Sequence, residues 1–160
     1  MRGRLAGLAM MAMVLAGCDR NSAPTSIGKT APEFVVSDGV STVDLKQLKG
    51  KVVVLNLWAS YCTPCVEELP SLLALHERMP DIAVVAVSTD QDDAVYRRFL
   101  ERHHVTLTTV RDGDGRVNRL YGTELIPETY IIDRDGVIRR KFISAQDWTA
   151  PEIMDYLKRL

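Results

Sequence analysis

Val52-Val53-Val54-Leu55-Asn56-Leu57-Trp58-Ala59-Ser60-Tyr61-Cys62-Thr63-Pro64-Cys65 runs from a near-continuous apolar segment straight into a C-x-x-C pair. The first seven residues are rich in β-branched side chains, the pattern of a strand buried on both faces. Beyond the pair, Pro64 to about Arg78 carries Val66, Leu69, Leu72, Leu73 and Leu75 at the spacing of one apolar helix face. Cys62 therefore falls at or beside a helix N-cap, where unpaired backbone N–H groups and the positive end of the helix dipole favour negative charge. A thiolate is the attacking species in disulfide exchange, and a helix N-terminus lowers a thiol pKa by roughly one to several units. Cys62 reads as the exposed nucleophile and Cys65, one turn further in, as the thiol that resolves the mixed disulfide. Thr63 and Pro64 let one turn bring the sulfurs together, and Pro64 has no N–H to lose there.

The same alternation of periods continues outward. Ile82 to Val87 repeats the buried-strand pattern, and Gln91 to His103 reads as a helix behind Asp90, a good N-cap residue. Thr129 to Ile132 and Val137 to Phe142 flank Asp133-Arg134-Asp135-Gly136, whose Asp-Gly step signals a hairpin. Thr149-Ala150-Pro151-Glu152 has the form of a capping box, with Ile153, Tyr156, Leu157 and Leu160 as the stripe behind it. Strands alternating with helices predict an α/β sandwich, and the closing hairpin makes its central sheet mixed. Arg139-Arg140-Lys141 reads as protection of a sheet edge, and Trp148 as packing.

The N-terminus is set aside from the fold. Arg2 and Arg4 precede an apolar, small-residue run from Leu5 to Gly17. That run is well short of the roughly 20 residues that span a bilayer, and it reads as an export signal. Its end, Leu15-Ala16-Gly17-Cys18, resembles the lipobox of bacterial lipoproteins, which implies cleavage before Cys18 and acylation of its sulfur. The expected layout is a signal peptide at 1–17, a lipidated Cys18 with a flexible tether at 18–30, and one domain at 31–160. Asp19 resembles a signal for staying at the inner membrane, so the expected location is the periplasmic or extracytoplasmic face of that membrane. Of three cysteines, only Cys62 and Cys65 then remain in the folded part, where export lets a disulfide persist. The mature chain keeps 18 basic and 21 acidic groups, which gives no reason to expect a nucleic-acid partner.

Other uses of the two thiols are open to the spacing alone. A structural zinc site wants two further ligands, but there is no second C-x-x-C and the only histidines are His76, His103 and His104. A permanent disulfide is a poor staple here, since closing so short a loop removes little unfolded-chain entropy.

Taken together, Trp58 to Cys65 with Glu68 and Pro70 resemble the active-site segment of the thioredoxin superfamily, most closely its membrane-tethered TlpA-like branch, which includes the cytochrome c maturation reductases. Ile126-Pro127-Glu128-Thr129-Tyr130-Ile131-Ile132-Asp133 resembles the cis-proline segment, and Gly28 to Phe34 the entry strand. The resemblance implies a thioredoxin-like three-layer sandwich, with an added helix and strand between Asp90 and Val110. It implies a cis peptide at Pro127 facing the cysteines, and a main chain at Ile126 able to pair with an extended substrate. Pro70 should kink the active-site helix.

The buried acid that thioredoxin carries six residues before its first cysteine is here Asn56, which cannot titrate. Glu68, one helical turn past Cys65, takes the proton-handling role in the resemblance. Trp58, Tyr61, Thr63, Pro64, Ile126 and Glu128 become the substrate-side residues. The implied activity is reduction of protein disulfides, apocytochrome c among them, by a monomer that needs no cofactor or metal and is recharged by a membrane electron donor. Two other readings use the same thiols. A copper-site assembly or metal-carrying protein of related fold would show C-x-x-x-C and a distal His, which do not line up. A thiol peroxidase would show a Thr or Ser three residues before the reactive cysteine, where Ala59 precedes Cys62.

Overall fold

The computed structural model describes residues 27–160; the leader at 1–17, Cys18 and residues 19–26 of the tether lie outside them. Five strands form one mixed sheet: β3 (Val53–Trp58), β4 (Ala83–Ser88), β5 (Thr108–Arg111), β6 (Glu128–Ile132) and β7 (Ile138–Ile143), in the order β5-β4-β3-β6-β7. β1 (Val35–Ser37) and β2 (Thr42–Asp44) make a separate two-stranded hairpin. The helices are α1 (Thr63–Arg78), α2 (Asp93–Arg102), α3 (Arg116–Tyr121) and α4 (Pro151–Lys158).

β3, β4 and β5 run parallel, so β3-α1-β4 and β4-α2-β5 are two crossovers advancing in one direction across the sheet. Right-handed crossovers of that kind place both helices on one face. α1, α2 and α4 accordingly cover that face, burying Leu69, Leu72, Tyr96, Phe99, Ile153 and Leu157 against Val54, Trp58 and Ile131. The chain then returns to the other side of β3, where β6 and β7 are antiparallel, and α3 with the β1–β2 hairpin covers the second face. Val36, Val43, Val117 and Tyr121 pack there against Val53, Leu55, Leu57 and Tyr130.

All six residues of β3 are buried, as its continuous apolar pattern requires of a strand with layers on both sides. Each fully buried Val or Leu contributes about 1.5–3 kcal/mol. The result is the three-layer sandwich with a mixed sheet, and α2 with β5 is the added helix and strand.

Three local expectations change. α2 is capped by Asp92, whose Oδ1 accepts from Val95 N at 3.0 Å, and not by Asp90. α4 starts one residue later than a Thr149 capping box requires, because Pro151 takes the first helical position. Thr149 Oγ1 donates instead to Asp147 Oδ1 at 2.5 Å. The segment expected as an entry strand makes only a single bridge, Thr30 to Val137, before β1 begins at Val35; Pro32 lacks the N–H that a ladder there would use. Pro70 sits inside α1, which continues past it to Arg78.

The β1–β2 hairpin is fastened to the rest through Asp38. Its carboxylate accepts from the amides of Val40 at 3.0 Å and Ser41 at 2.8 Å, and from Arg111 N of β5 at 3.0 Å. It also pairs with Arg97 of α2 at 3.0 Å. Burial alone would raise its pKa, but the amide donors and Arg97 outweigh burial and hold the carboxyl at about 2. The favourable linkage is therefore complete above the usual carboxylate range and is lost as pH falls through that value. Asp38→Asn should lower unfolding stability at neutral pH by about 1–3 kcal/mol, and the gap to the wild type should narrow in urea titrations as the buffer is made acidic.

Candidate active site

β3 ends at Trp58, and a short turn closed by Cys62 N donating to Ala59 O at 3.2 Å delivers the chain to α1. Cys62 is the N-cap residue, in extended conformation, and its Sγ accepts from Cys65 N at 3.3 Å. Cys62 and Cys65 are joined as a disulfide with their Cα atoms 5.2 Å apart.

The two sulfurs are not equivalent. Cys62 keeps 8% of its surface and Cys65 only 3%. Cys62 alone of the pair borders an open depression of about 400 Å³, together with Tyr61, Pro64, Asn118 and Ile126. An incoming sulfur can reach Cys62, and a thiolate left there on reduction would face the helix N-terminus.

The Ile126–Pro127 peptide is cis. It brings the carbonyl oxygen of Ile126 to 3.6 Å from Cys62 Sγ, which leaves main-chain groups beside the sulfur for an extended peptide to pair with. Tyr61 and Thr63 are exposed at the rim. Trp58 lies in the core beneath the site, its ring 5.2 Å from that of Phe99 and 6.2 Å from that of Tyr96.

Glu68 is buried, with 3% of its surface exposed. Its Oε1 accepts from Asn56 Nδ2 at 2.8 Å, and its Oε2 accepts from Gln146 N and Trp148 Nε1, both at 3.1 Å. Asn56 Nδ2 also donates to Thr129 Oγ1 of β6 at 2.8 Å. Burial pushes the Glu68 carboxyl above its usual range, against the pull of the three donors. Asn56 thus stands where an acid was missing and holds the acid that lies one turn past Cys65. Trp148, read from sequence as packing, is a hydrogen-bond donor to that acid. With both partners some 80 residues from Glu68, no local pattern could have announced them.

A second buried carboxylate fixes the turn. Asp90 accepts from Ser60 N at 2.9 Å, Ser60 Oγ at 2.6 Å and Ser88 Oγ at 2.5 Å. It locks the residue two before Cys62 to the end of β4.

Glu128 does not join this network. Thr129 and Ile131 face the α1 side of the sheet, so Glu128, like Tyr130, faces the other. There it forms an ion pair with Lys141. Among the described residues no cluster of three or more His, Cys, Asp or Glu is placed to hold a metal ion, and no helix is long and apolar enough to cross a membrane.

Residues 27–141 match the AhpC/TSA family. The thiol-disulfide oxidoreductase ResA of Bacillus thuringiensis subsp. konkukian is 31% identical over 137 residues, covering 84% of this chain and 78% of that protein. The thiol:disulfide interchange protein DsbE of Pseudomonas aeruginosa is 33% identical over 125 residues, covering 76% and 68%. The crystal structure of the exposed lipoprotein thioredoxin Etrx1 of Streptococcus pneumoniae superposes with a TM-score of 0.70 at 26% identity, over 81% of this chain and 100% of that one.

A carboxyl with a raised folded pKa contributes favourably at low pH, and that contribution is lost as pH rises through the folded value. Glu68→Gln does not titrate. Oxidised wild type should therefore lose stability relative to Glu68→Gln as pH rises, in urea midpoints measured from about pH 4 to about pH 8. A flat difference would show that Glu68 keeps its ordinary pKa.

Proposed function

Because this chain belongs to the AhpC/TSA family and is a thioredoxin-like thiol–disulfide oxidoreductase, we propose that it reduces protein disulfides outside the cytoplasm, apocytochrome c among them, while a lipid on Cys18 holds it to the bacterial inner membrane. In this layout residues 1–17 are removed, 18–30 are the tether and 31–160 the working domain, a monomer with no cofactor beyond its own two cysteines. The observation that carries the redox reading is the accessible Cys62 sulfur at a helix N-terminus, 3.6 Å from the carbonyl of Ile126 beside a cis-proline. Support for the anchor comes from Leu15-Ala16-Gly17-Cys18 and from the pneumococcal relative, described as an exposed lipoprotein. Support for the cytochrome c client comes from the Pro127-Glu128-Thr129 wording of the cis-proline segment.

In the reduced protein the Cys62 thiolate attacks one sulfur of a client disulfide. A Cys62–client S–S bond forms, and the other client sulfur leaves as a thiolate. Cys65 then gives up its proton and attacks Cys62 Sγ. The Cys62–Cys65 bond forms and the second client thiolate departs. Two electrons have passed from the protein dithiol to the client, whose two sulfurs end as thiols. Glu68 is suited to take the proton of Cys65, because burial brings its neutral form within reach while three donors keep its charged form satisfied. A dithiol donor at the membrane would return two electrons by the reverse exchange.

Cys65→Ser should stop the second step and leave clients trapped on Cys62 as mixed disulfides that a reductant releases. Recovery of apocytochrome c supports the maturation role; recovery of secreted proteins at large, or of none, overturns it. Separately, Cys18→Ser should move the mature protein from the membrane fraction to the soluble one. Retention in the membrane would refute the lipid anchor.

A further inference from the structure

A second depression of about 300 Å³ adjoins the one beside Cys62, formed by Gly122, Glu124, Leu125, Glu128, Lys141 and Ile143. Glu124 and Leu125 border both. The rim of the second is apolar and open, with Leu125 73% and Ile143 62% exposed. Its inner wall is polar. Glu128 keeps only 3% of its surface, and although it is ion-paired to Lys141, its Oε2 has no hydrogen-bond partner. A buried acceptor left without a donor costs about 1–3 kcal/mol, which an arriving N–H group would recover.

The charges point the same way. Two carboxylates, Glu124 and Glu128, meet one ammonium, Lys141. Burial lowers the pKa of Lys141 and the field of Glu124 raises it again, which places that carboxylate within electrostatic reach of the same group. The lining of the depression thus has one acid more than it has bases.

We propose that this depression receives a lysine or arginine side chain of the client polypeptide, a few residues along the chain from the cysteine that Cys62 attacks. The aliphatic stem of such a residue lies along Leu125 and Ile143, while its charged head reaches Glu124 and the free oxygen of Glu128. A client strand paired to the main chain at Ile126 advances about 3.3 Å per residue, so the neighbouring depression is within a few residues of the reacting sulfur. The proposal rests on the disulfide-exchange reading of the Cys62 site, and it makes client choice depend on the charge beside the disulfide.

The test uses three oxidised peptides that share one intramolecular disulfide and differ at a single position near it, as Arg, Gln or Glu, with reduction followed by thiol release. The reduced full domain should favour the Arg peptide over the Gln peptide by about two- to fivefold in kcat/KM, the scale of an exposed ion pair, and the Glu peptide should be slowest. The preference should shrink as salt is added. Glu124→Gln should reduce the Arg-to-Glu ratio, and Glu124→Lys should invert it. Equal rates on all three peptides, or a ratio that ignores both substitutions, would overturn the subsite and leave the oxidoreductase standing. Failure to reduce any of the three would count against the oxidoreductase itself.

Discussion

A carboxylate closed off from water must be given donors by the protein, and Glu68 draws them from widely separated parts of this chain. Asn56 comes from the central strand, and Gln146 and Trp148 from the connection between β7 and α4. The same Asn56 amide binds Thr129 on the neighbouring strand. One acid therefore sets where α1 rests on the sheet, which in turn sets where the N-terminus of α1 presents Cys62. Losing any donor would leave a buried carboxyl oxygen short of a partner in the helix that carries the two cysteines. The Asp90 knot with Ser60 and Ser88 plays the matching role on the approach to Cys62. Between them the reactive turn is held from both ends by buried polar groups and not by apolar contact alone.

What could be read in the sequence was what short-range physics writes there. β3, α1 and the β6–β7 hairpin have strong periods and clear turn residues, and the family resemblance carried the Pro127 segment with them. The parts that escaped depend on distant partners or on too few residues. α3 is six residues between two left-handed glycines, Gly115 and Gly122, too short to display a helical period. Asp90 precedes a helical stretch and looks like its cap, yet Asp92 is the cap; only the meeting with Ser60, 30 residues back, explains Asp90. Trp148 looks like packing until Glu68 is placed 3.1 Å from its indole nitrogen.

The period of two in β6 separates functions that adjacent letters would seem to share. Glu128 and Thr129 are neighbours in the chain but face opposite layers. Thr129 completes the network around Glu68 on the α1 side, and Glu128 is buried in the opposite layer against Lys141. Two acids close to one disulfide thus answer to different surroundings, one enclosed by donors, the other sharing a lysine.

The chain enters the domain through Gly28 to Ala31, bonded to Ile138 and Gly136 at the hairpin end of β7. Cys62 stands at the opposite end of the sheet, a strand of six residues or roughly 20 Å away. A restraint on the chain at Gly28 would therefore act on the end of the domain farthest from Cys62. A short leash would confine the domain's position while leaving the reactive tip turned outward, so that local client concentration, more than diffusion of the enzyme, would set how often the two meet.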